Sequence, residues 1–295
     1  MKLTELIKQG TSTISRLYPE REAREMVLAY LCHTLGITRH THLVDPSYEV
    51  ASSRMDRILG DISRMAAGEP LQYVVSQASF YGRDFHVTPS VLIPRPETEL
   101  LCRSAMEMPF PHSRQDLHVL DLCTGSGCIA WTMALEMPGA RVTAVDISEA
   151  ALQVASSQDF ADEMRRTGAV APHFVKADVL SEDLPAMLQK GDSEYDLILS
   201  NPPYVMDKEK VLMRTNVLDH EPHLALFVPD DDPLLFYRAI ASHASALLSE
   251  TGVCMVEINE ALGPETAALF SAAGFADVRV AADLNDRPRF VIARH

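Results

Sequence analysis

With 295 residues, 47% of them hydrophobic, the chain has material for two domains or for one with an appendage, and is too apolar to be disordered or fibrous. No apolar run approaches the roughly 20 residues of a membrane helix, and the start, Met1-Lys2-Leu3-Thr4-Glu5, lacks the pattern of a secretory signal; five cysteines without a Cys-x-x-Cys pair point to reduced thiols in a cytoplasmic protein with no disulfide framework and no metal site. The net charge of −15 lies wholly in residues 97–295, where 15 basic and 31 acidic residues leave −16, so phosphate backbones are repelled and direct nucleic-acid binding is not expected.

Residues 1–75 read as all-helical. From Glu20 to Leu35 the apolar residues Ala23, Met26, Val27, Tyr30 and Leu31 keep helical spacing, with Gly36 as a stop. A second stripe runs through Val50, Met55, Ile58, Leu59, Ile62 and Met65 and ends near Gly68-Glu69-Pro70. Such stripes describe a small bundle core rather than a cofactor pocket. In residues 76–96, aromatic and β-branched residues around Gly82 suggest a hairpin that links two domains, and Pro94-Arg95-Pro96 should stop any regular element.

Residues 97–295 alternate strand, loop and helix. The candidate strands are His118–Cys123, Arg141–Asp146, His173–Asp178, Tyr195–Asn201, Gly252–Ile258, Asp277–Asp283 and Arg289–Arg294. Helical stretches of ten or more residues between the earlier ones give parallel βαβ units of an α/β domain. The last two strands, joined by the short Leu284–Pro288 turn, should form an antiparallel hairpin.

Two segments carry chemistry. The first, Asp121-Leu122-Cys123-Thr124-Gly125-Ser126-Gly127-Cys128-Ile129-Ala130, follows an apolar strand. Gly125 and Gly127 let the backbone turn and approach a ligand, and the next helix offers its N-terminal amides. The spacing also satisfies the dinucleotide fingerprint, with Asp146 ending the next strand, and a purely structural turn is the plain alternative. Asp121 before the turn would face a pyrophosphate unfavourably but would suit the ammonium of S-adenosylmethionine. Asp178 could accept from an adenine amino group or could cap a following helix.

The second segment is Tyr195-Asp196-Leu197-Ile198-Leu199-Ser200-Asn201-Pro202-Pro203-Tyr204, a buried strand that presents Asn-Pro-Pro-Tyr at its carboxyl end. A planar NH2 group is a poor nucleophile because its lone pair is delocalised. The Asn201 oxygen and the Pro202 carbonyl form an acceptor pair that can grip its two N–H bonds, and proline there brings no competing donor. Tyr204 can stack on the flat face and exclude water.

At these residues the chain resembles the class I S-adenosylmethionine-dependent methyltransferases. More narrowly, it is similar to the HemK/PrmC family, which methylates the side-chain amide (N5) of the glutamine in the Gly-Gly-Gln motif of peptide chain release factors. The resemblance also covers Gly68–Tyr73, Phe80-Tyr81-Gly82, Ile93-Pro94-Arg95-Pro96-Glu97-Thr98-Glu99, Glu221–Leu226 and Phe236-Tyr237-Arg238. It implies a Rossmann-like fold with a mostly parallel seven-stranded sheet and a C-terminal antiparallel hairpin, preceded by a helical domain that helps to recognise the release factor. S-adenosyl-L-methionine would be the donor, S-adenosyl-L-homocysteine the product and class I release factors the protein partners; a monomer is expected, although the sequence itself does not give the oligomeric state.

By the same resemblance Cys123, Thr124, Gly125, Ser126 and Gly127 hold the methionine part of the cofactor, Asp146 its ribose, and Asp178 and Val179 its adenine. Asn201, Pro202, Pro203 and Tyr204 receive the glutamine, with Arg95 and Glu97 in a wall of the same pocket. Cys123 stands where many members have glycine, and Asn285-Asp286 replaces a more usual Asn-Gly turn; neither is expected to remove a contact. The main alternative is an adenine N6 methyltransferase acting on DNA or RNA, since the amine geometry suits it equally. A cofactor-binding module without turnover is the other.

Overall fold

The computed structural model describes residues 1–110, 116–189 and 194–295. It contains two compact units, one of residues 1–77 together with 213–221, the other of residues 78–212 and 222–295.

The first unit contains α1 (Leu3–Ile14), α2 (Glu20–Leu35), α3 (Thr41–Val44), α4 (Ser52–Ala66) and α5 (Leu71–Val75). The stripes read from the sequence close on one another: Leu6, Ile14, Val27, Leu31, Ile58 and Met65 are buried in one core. α2 ends where Gly36 takes a left-handed φ of 67°, which glycine adopts without steric cost. Gly10 lets α1 lie close to its neighbours, since a Cβ there would sit 3.1 Å from both Ile62 and Val27. Within this core the Tyr30 hydroxyl donates to Asp61 at 2.7 Å. Burial, with the neighbouring carboxylate, pushes the Tyr30 phenol up to about 12.

At the start of the second unit, which begins at Ala78, β1 (Gln77–Phe80) and β2 (Arg83–His86) are joined by Tyr81-Gly82. Both turn residues have positive φ, 49° and 73°, as the tightest hairpin turn requires. Phe80 and Phe85 of this hairpin are buried in the core of the unit with Leu101 and Trp131. The Arg83 guanidinium pairs with Glu136 at 2.6 Å and Glu163 at 2.7 Å.

The chain continues through α6 (Pro96–Met106), β3 (His118–Leu122), α7 (Cys128–Glu136), β4 (Arg141–Asp146), α8 (Glu149–Ser156), α9 (Ala161–Thr167), β5 (His173–Lys176), α10 (Leu184–Leu188) and β6 (Tyr195–Ser200). After β7 (Val205–Met206) comes α11 (Thr215–His220), which lies in the first unit, then β8 (Phe227–Val228), α12 (Leu235–Leu247), β9 (Leu248–Glu257), α13 (Gly263–Ala272), β10 (Asp277–Ala282) and β11 (Pro288–Arg294). Pro96 begins α6 instead of stopping regular structure, because a first-turn residue needs no amide donor. Between β5 and β6 the helix is five residues long, not ten, and β5 stops two residues before Asp178.

Seven strands form one sheet in the order β10-β11-β9-β6-β3-β4-β5. β9, β6, β3, β4 and β5 run parallel, and β11 pairs antiparallel with both β10 and β9. The central strands β3 and β6 are buried along nearly their whole length, as both faces of the sheet are covered there, whereas β5 at the edge has exposed ends. One core holds Leu101, Val119, Trp131 and Leu199, the other Leu120, Ile198, Tyr237 and Phe270. In the β10–β11 turn Asp286 takes the left-handed position (φ 58°) that glycine often fills. The Asp283 carboxylate holds that turn by accepting the Asn285 amide at 2.8 Å and the Arg287 amide at 3.2 Å.

Candidate active site

From β3 the chain builds β4 and β5 on one side and later returns to place β6 on the other. Loops leaving β3 and β6 therefore diverge and open a crevice at the strands' carboxyl ends, where open α/β sheets bind ligands. A cavity of about 200 Å³ lies there.

The Gly-rich turn forms its floor. Cys123, Gly125 and Gly127 all have left-handed φ, at 63°, 55° and 79°. Cys123, Thr124, Gly125 and Ser126 border the cavity. Gly127 does not; it serves packing, since a Cβ there would lie 3.0 Å from that of Ala155 and 3.1 Å from the Trp131 ring. Cysteine at 123 occupies a conformation that disfavours side chains by roughly 1–2 kcal/mol. Burial holds its thiol well above the usual range.

Asp121 is not a rim residue. It is fully buried beneath the turn, where one carboxyl oxygen accepts the Thr124 hydroxyl at 2.5 Å and the Ala130 amide at 3.2 Å. The other oxygen, Oδ1, is buried with no hydrogen-bond partner. Burial is the first cause that raises its pKa to about 7, against the two hydrogen bonds, which lower it.

Asp146 does border the cavity, and its two oxygens accept the Gly125 amide at 2.8 Å and the Ser148 amide at 2.9 Å. Those bonds leave lone pairs for two ligand hydroxyls. Burial raises its pKa, and the backbone amides oppose the rise. Asp178 and Val179 line the cavity farther along, just beyond β5. Asp178 caps no helix: it accepts the Leu180 amide at 2.8 Å and so forms a turn. The Val179 carbonyl lies 2.8 Å from Nε2 of the buried His243 on α12.

Asn201 and Pro203 border the cavity from the end of β6, and Arg95 from the segment before α6. Pro202, Tyr204 and Glu97 do not. The Tyr204 hydroxyl instead donates to Glu257 Oε1 at 3.0 Å, and burial and the Glu257 charge push that phenol well up. That hydrogen bond fixes the edge of the Tyr204 ring and leaves its faces unassigned. Glu257 Oε2 accepts the Thr98 hydroxyl at 2.7 Å, and the Thr98 oxygen accepts from Asn201 Nδ2 at 3.0 Å.

Thr98, Glu257, Gln158 and His243 escaped the sequence reading. Thr98 stood inside a quoted motif whose roles went to Arg95 and Glu97, while Glu257 had a visible signal, an acid closing the apolar run Val253-Cys254-Met255-Val256. Gln158 carries no signal, yet its amide nitrogen donates to the carbonyls of His86 and Ser126 at 2.9 and 3.2 Å, fastening the hairpin to the Gly-rich turn.

The site fits a nucleoside with a cationic end. Two carboxylates end neighbouring segments, backbone bends close to the ligand, and Val145, Ile147 and Val179 supply apolar wall. Residues 98–223 match the family Methyltransferase small domain, and residues 5–75 match the PrmC N-terminal domain. A release factor glutamine methyltransferase of Bacteroides thetaiotaomicron is 38% identical over 99% of both chains, and one of Flavobacterium psychrophilum is 41% identical over 95% of both. A solved protein-(glutamine-N5) methyltransferase (release factor-specific) from Alicyclobacillus acidocaldarius is 29% identical, with a TM-score of 0.40 over 72% of this chain and 99% of that one. With that identity sustained over nearly its whole length, the chain belongs to the release factor glutamine methyltransferases.

Proposed function

We propose that the protein moves a methyl group from S-adenosylmethionine to the side-chain amide nitrogen of the glutamine in the Gly-Gly-Gln motif of class I peptide chain release factors. One observation carries this reading: the Gly-rich turn with Asp146 and Asp178, and the amide of Asn201, border the same cavity. Cys123, Thr124, Gly125 and Ser126 would hold the methionine end of the donor, Asp146 the ribose hydroxyls, Asp178 and Val179 the adenine. Bound there, the donor supplies an electrophilic methyl on a positively charged sulfur.

The chain's own part is to hold the acceptor. An amide nitrogen attacks poorly because its lone pair is shared with the carbonyl. The Asn201 oxygen and the carbonyl of Pro202, whose peptide bond leads to the cavity-lining Pro203, accept the two N–H bonds and fix the nitrogen in line with the methyl. As the N–C bond forms, positive charge grows on nitrogen and both hydrogen bonds strengthen. The C–S electrons stay with sulfur and the extra proton leaves to water, so no strong base is needed. The bond from the Tyr204 hydroxyl to Glu257 holds the ring that would stack on the flat face of the guest.

The first unit, which matches the PrmC N-terminal domain, would take part in recognising the release factor. Adenine in nucleic acid is a weaker candidate, because residues 97–295 carry −16 and repel a phosphate backbone. The test is mass spectrometry of release-factor peptides after incubation with protein and S-adenosylmethionine. A 14-dalton gain on the Gly-Gly-Gln peptide is expected, about the mass of one CH2; a gain that persists when that glutamine is replaced refutes the reading.

A further inference from the structure

We propose that Glu257 and Thr98 set the orientation of the Asn201 amide, and through it the preference of the site for a carboxamide over a carboxylate of the same length. The inference rests on the proposed function, which makes Asn201 the acceptor for a glutamine side chain.

A side-chain amide has two ends of similar shape, one donating and one accepting, so something must choose which end faces the guest. Here the choice begins at Glu257, the last residue of β9 and 1% exposed. Its Oε2 takes the only hydroxyl hydrogen of Thr98, itself 2% exposed on α6. With its hydrogen committed, the Thr98 oxygen can only accept, and it accepts from Asn201 Nδ2 at 3.0 Å. A flipped Asn201 would set its oxygen against another oxygen with no hydrogen to share. The arrangement also survives protonation of Glu257: a proton on Oε1 would turn to Tyr204 and leave Oε2 as acceptor.

The NH2 of Asn201 is thus held by Thr98, and its oxygen remains for the guest. Two acceptors, that oxygen and the Pro202 carbonyl, suit the two N–H bonds of glutamine. Glutamate would place its oxygens against both and be repelled. Without Thr98 as a fixed acceptor, Asn201 could turn its NH2 toward the guest and the preference would fade. Glu257 and Thr98 act through Asn201, as positioning residues.

The test uses the full chain saturated with S-adenosylhomocysteine, and measures its affinity for a release factor and for that factor's glutamine-to-glutamate variant. The protein as it stands should prefer glutamine by at least roughly tenfold, as a site built around a missing N–H does. Thr98→Val, of nearly the same shape, should cut that ratio about fivefold or more and lower kcat at least about tenfold, with cofactor affinity within about threefold. Thr98→Ser, which restores the hydroxyl, should recover both. Glu257→Met, which offers Thr98 no oxygen and frees its hydroxyl hydrogen to turn toward Asn201, should follow Thr98→Val, and decides the matter if Thr98→Val does not fold. A folded Thr98→Val or Glu257→Met protein with an unchanged glutamine-to-glutamate ratio overturns the orientation claim alone. Failure of the protein as it stands to methylate any release factor overturns the underlying reading instead, and the orientation claim falls with it.

Discussion

Asp121 and Asp146 end adjacent parallel strands, yet they meet different surroundings and so have different work. Asp146 borders the cavity with both oxygens fixed by backbone amides; Asp121 lies under the turn with one oxygen unpartnered. Its raised pKa, about 7 against 3.8, means that the folded chain keeps a proton which the unfolded chain gives up near pH 4. The stability associated with that proton is complete below about pH 4 and is lost as pH rises to about 7, by up to about 4 kcal/mol. Asp121→Asn should therefore gain on the original protein as pH rises from 4 to 8, measured as the difference in Tm. The cost of burying an unpartnered amide is present at every pH, so the slope decides and a flat difference would refute the assignment. Asn201→Ala should cut turnover by on the order of 100-fold while cofactor affinity moves only a few fold; titration calorimetry beside steady-state rates separates the two. Asp146→Ala should do the reverse and weaken cofactor binding first.

At the scale of elements, what could be read from the sequence was whatever depends on neighbours along the chain. The α2 stripe and its Gly36 stop, the apolar runs of β3, β4 and β6, and the Tyr81-Gly82 turn are local patterns, and each stands where spacing puts it. Asn201 and the Gly-rich turn were legible for the same reason. What holds Asn201 was not, since Thr98 and Glu257 lie 159 residues apart; nor was the hold of Gln158 on His86, across 72. No local spacing records such contacts, nor the bond of the Tyr204 hydroxyl to Glu257. The two glycines of the turn separate by the same logic. A methyl at Gly125 meets nothing within 4 Å, whereas one at Gly127 meets Ala155 and Trp131. Both carry the left-handed penalty of roughly 1–2 kcal/mol, and overpacking adds about 1–3 kcal/mol at Gly127. Gly127→Ala should thus lower Tm more than Gly125→Ala. Equal losses would mean that the helix start yields more easily than its packing indicates.

For the whole molecule the governing quantity is a net charge of −15 concentrated around the catalytic sheet. Asp121, Asp146 and Glu257 all have carboxyl pKa values raised chiefly by burial, so the charged form of each is disfavoured before a ligand arrives. S-adenosylmethionine brings a sulfonium and an ammonium, and its hydroxyls need acceptors; each favours the ionised form of Asp146, the carboxylate that borders the cavity. Binding should then pull the Asp146 pKa down and release protons. The sign follows: affinity rises with pH between the lowered pKa of the complex and the raised pKa of the ligand-free protein, and is flat above both. Calorimetry in two buffers of different ionisation enthalpy at mildly acidic pH should show the release. S-adenosylhomocysteine, whose sulfur is neutral, should release fewer protons, and Asp146→Asn should abolish the part owed to this residue. Proton uptake, or release unaltered in Asp146→Asn, would place the linkage elsewhere. The same negative field predicts that donor affinity falls as salt rises, since screening weakens attraction of the cation.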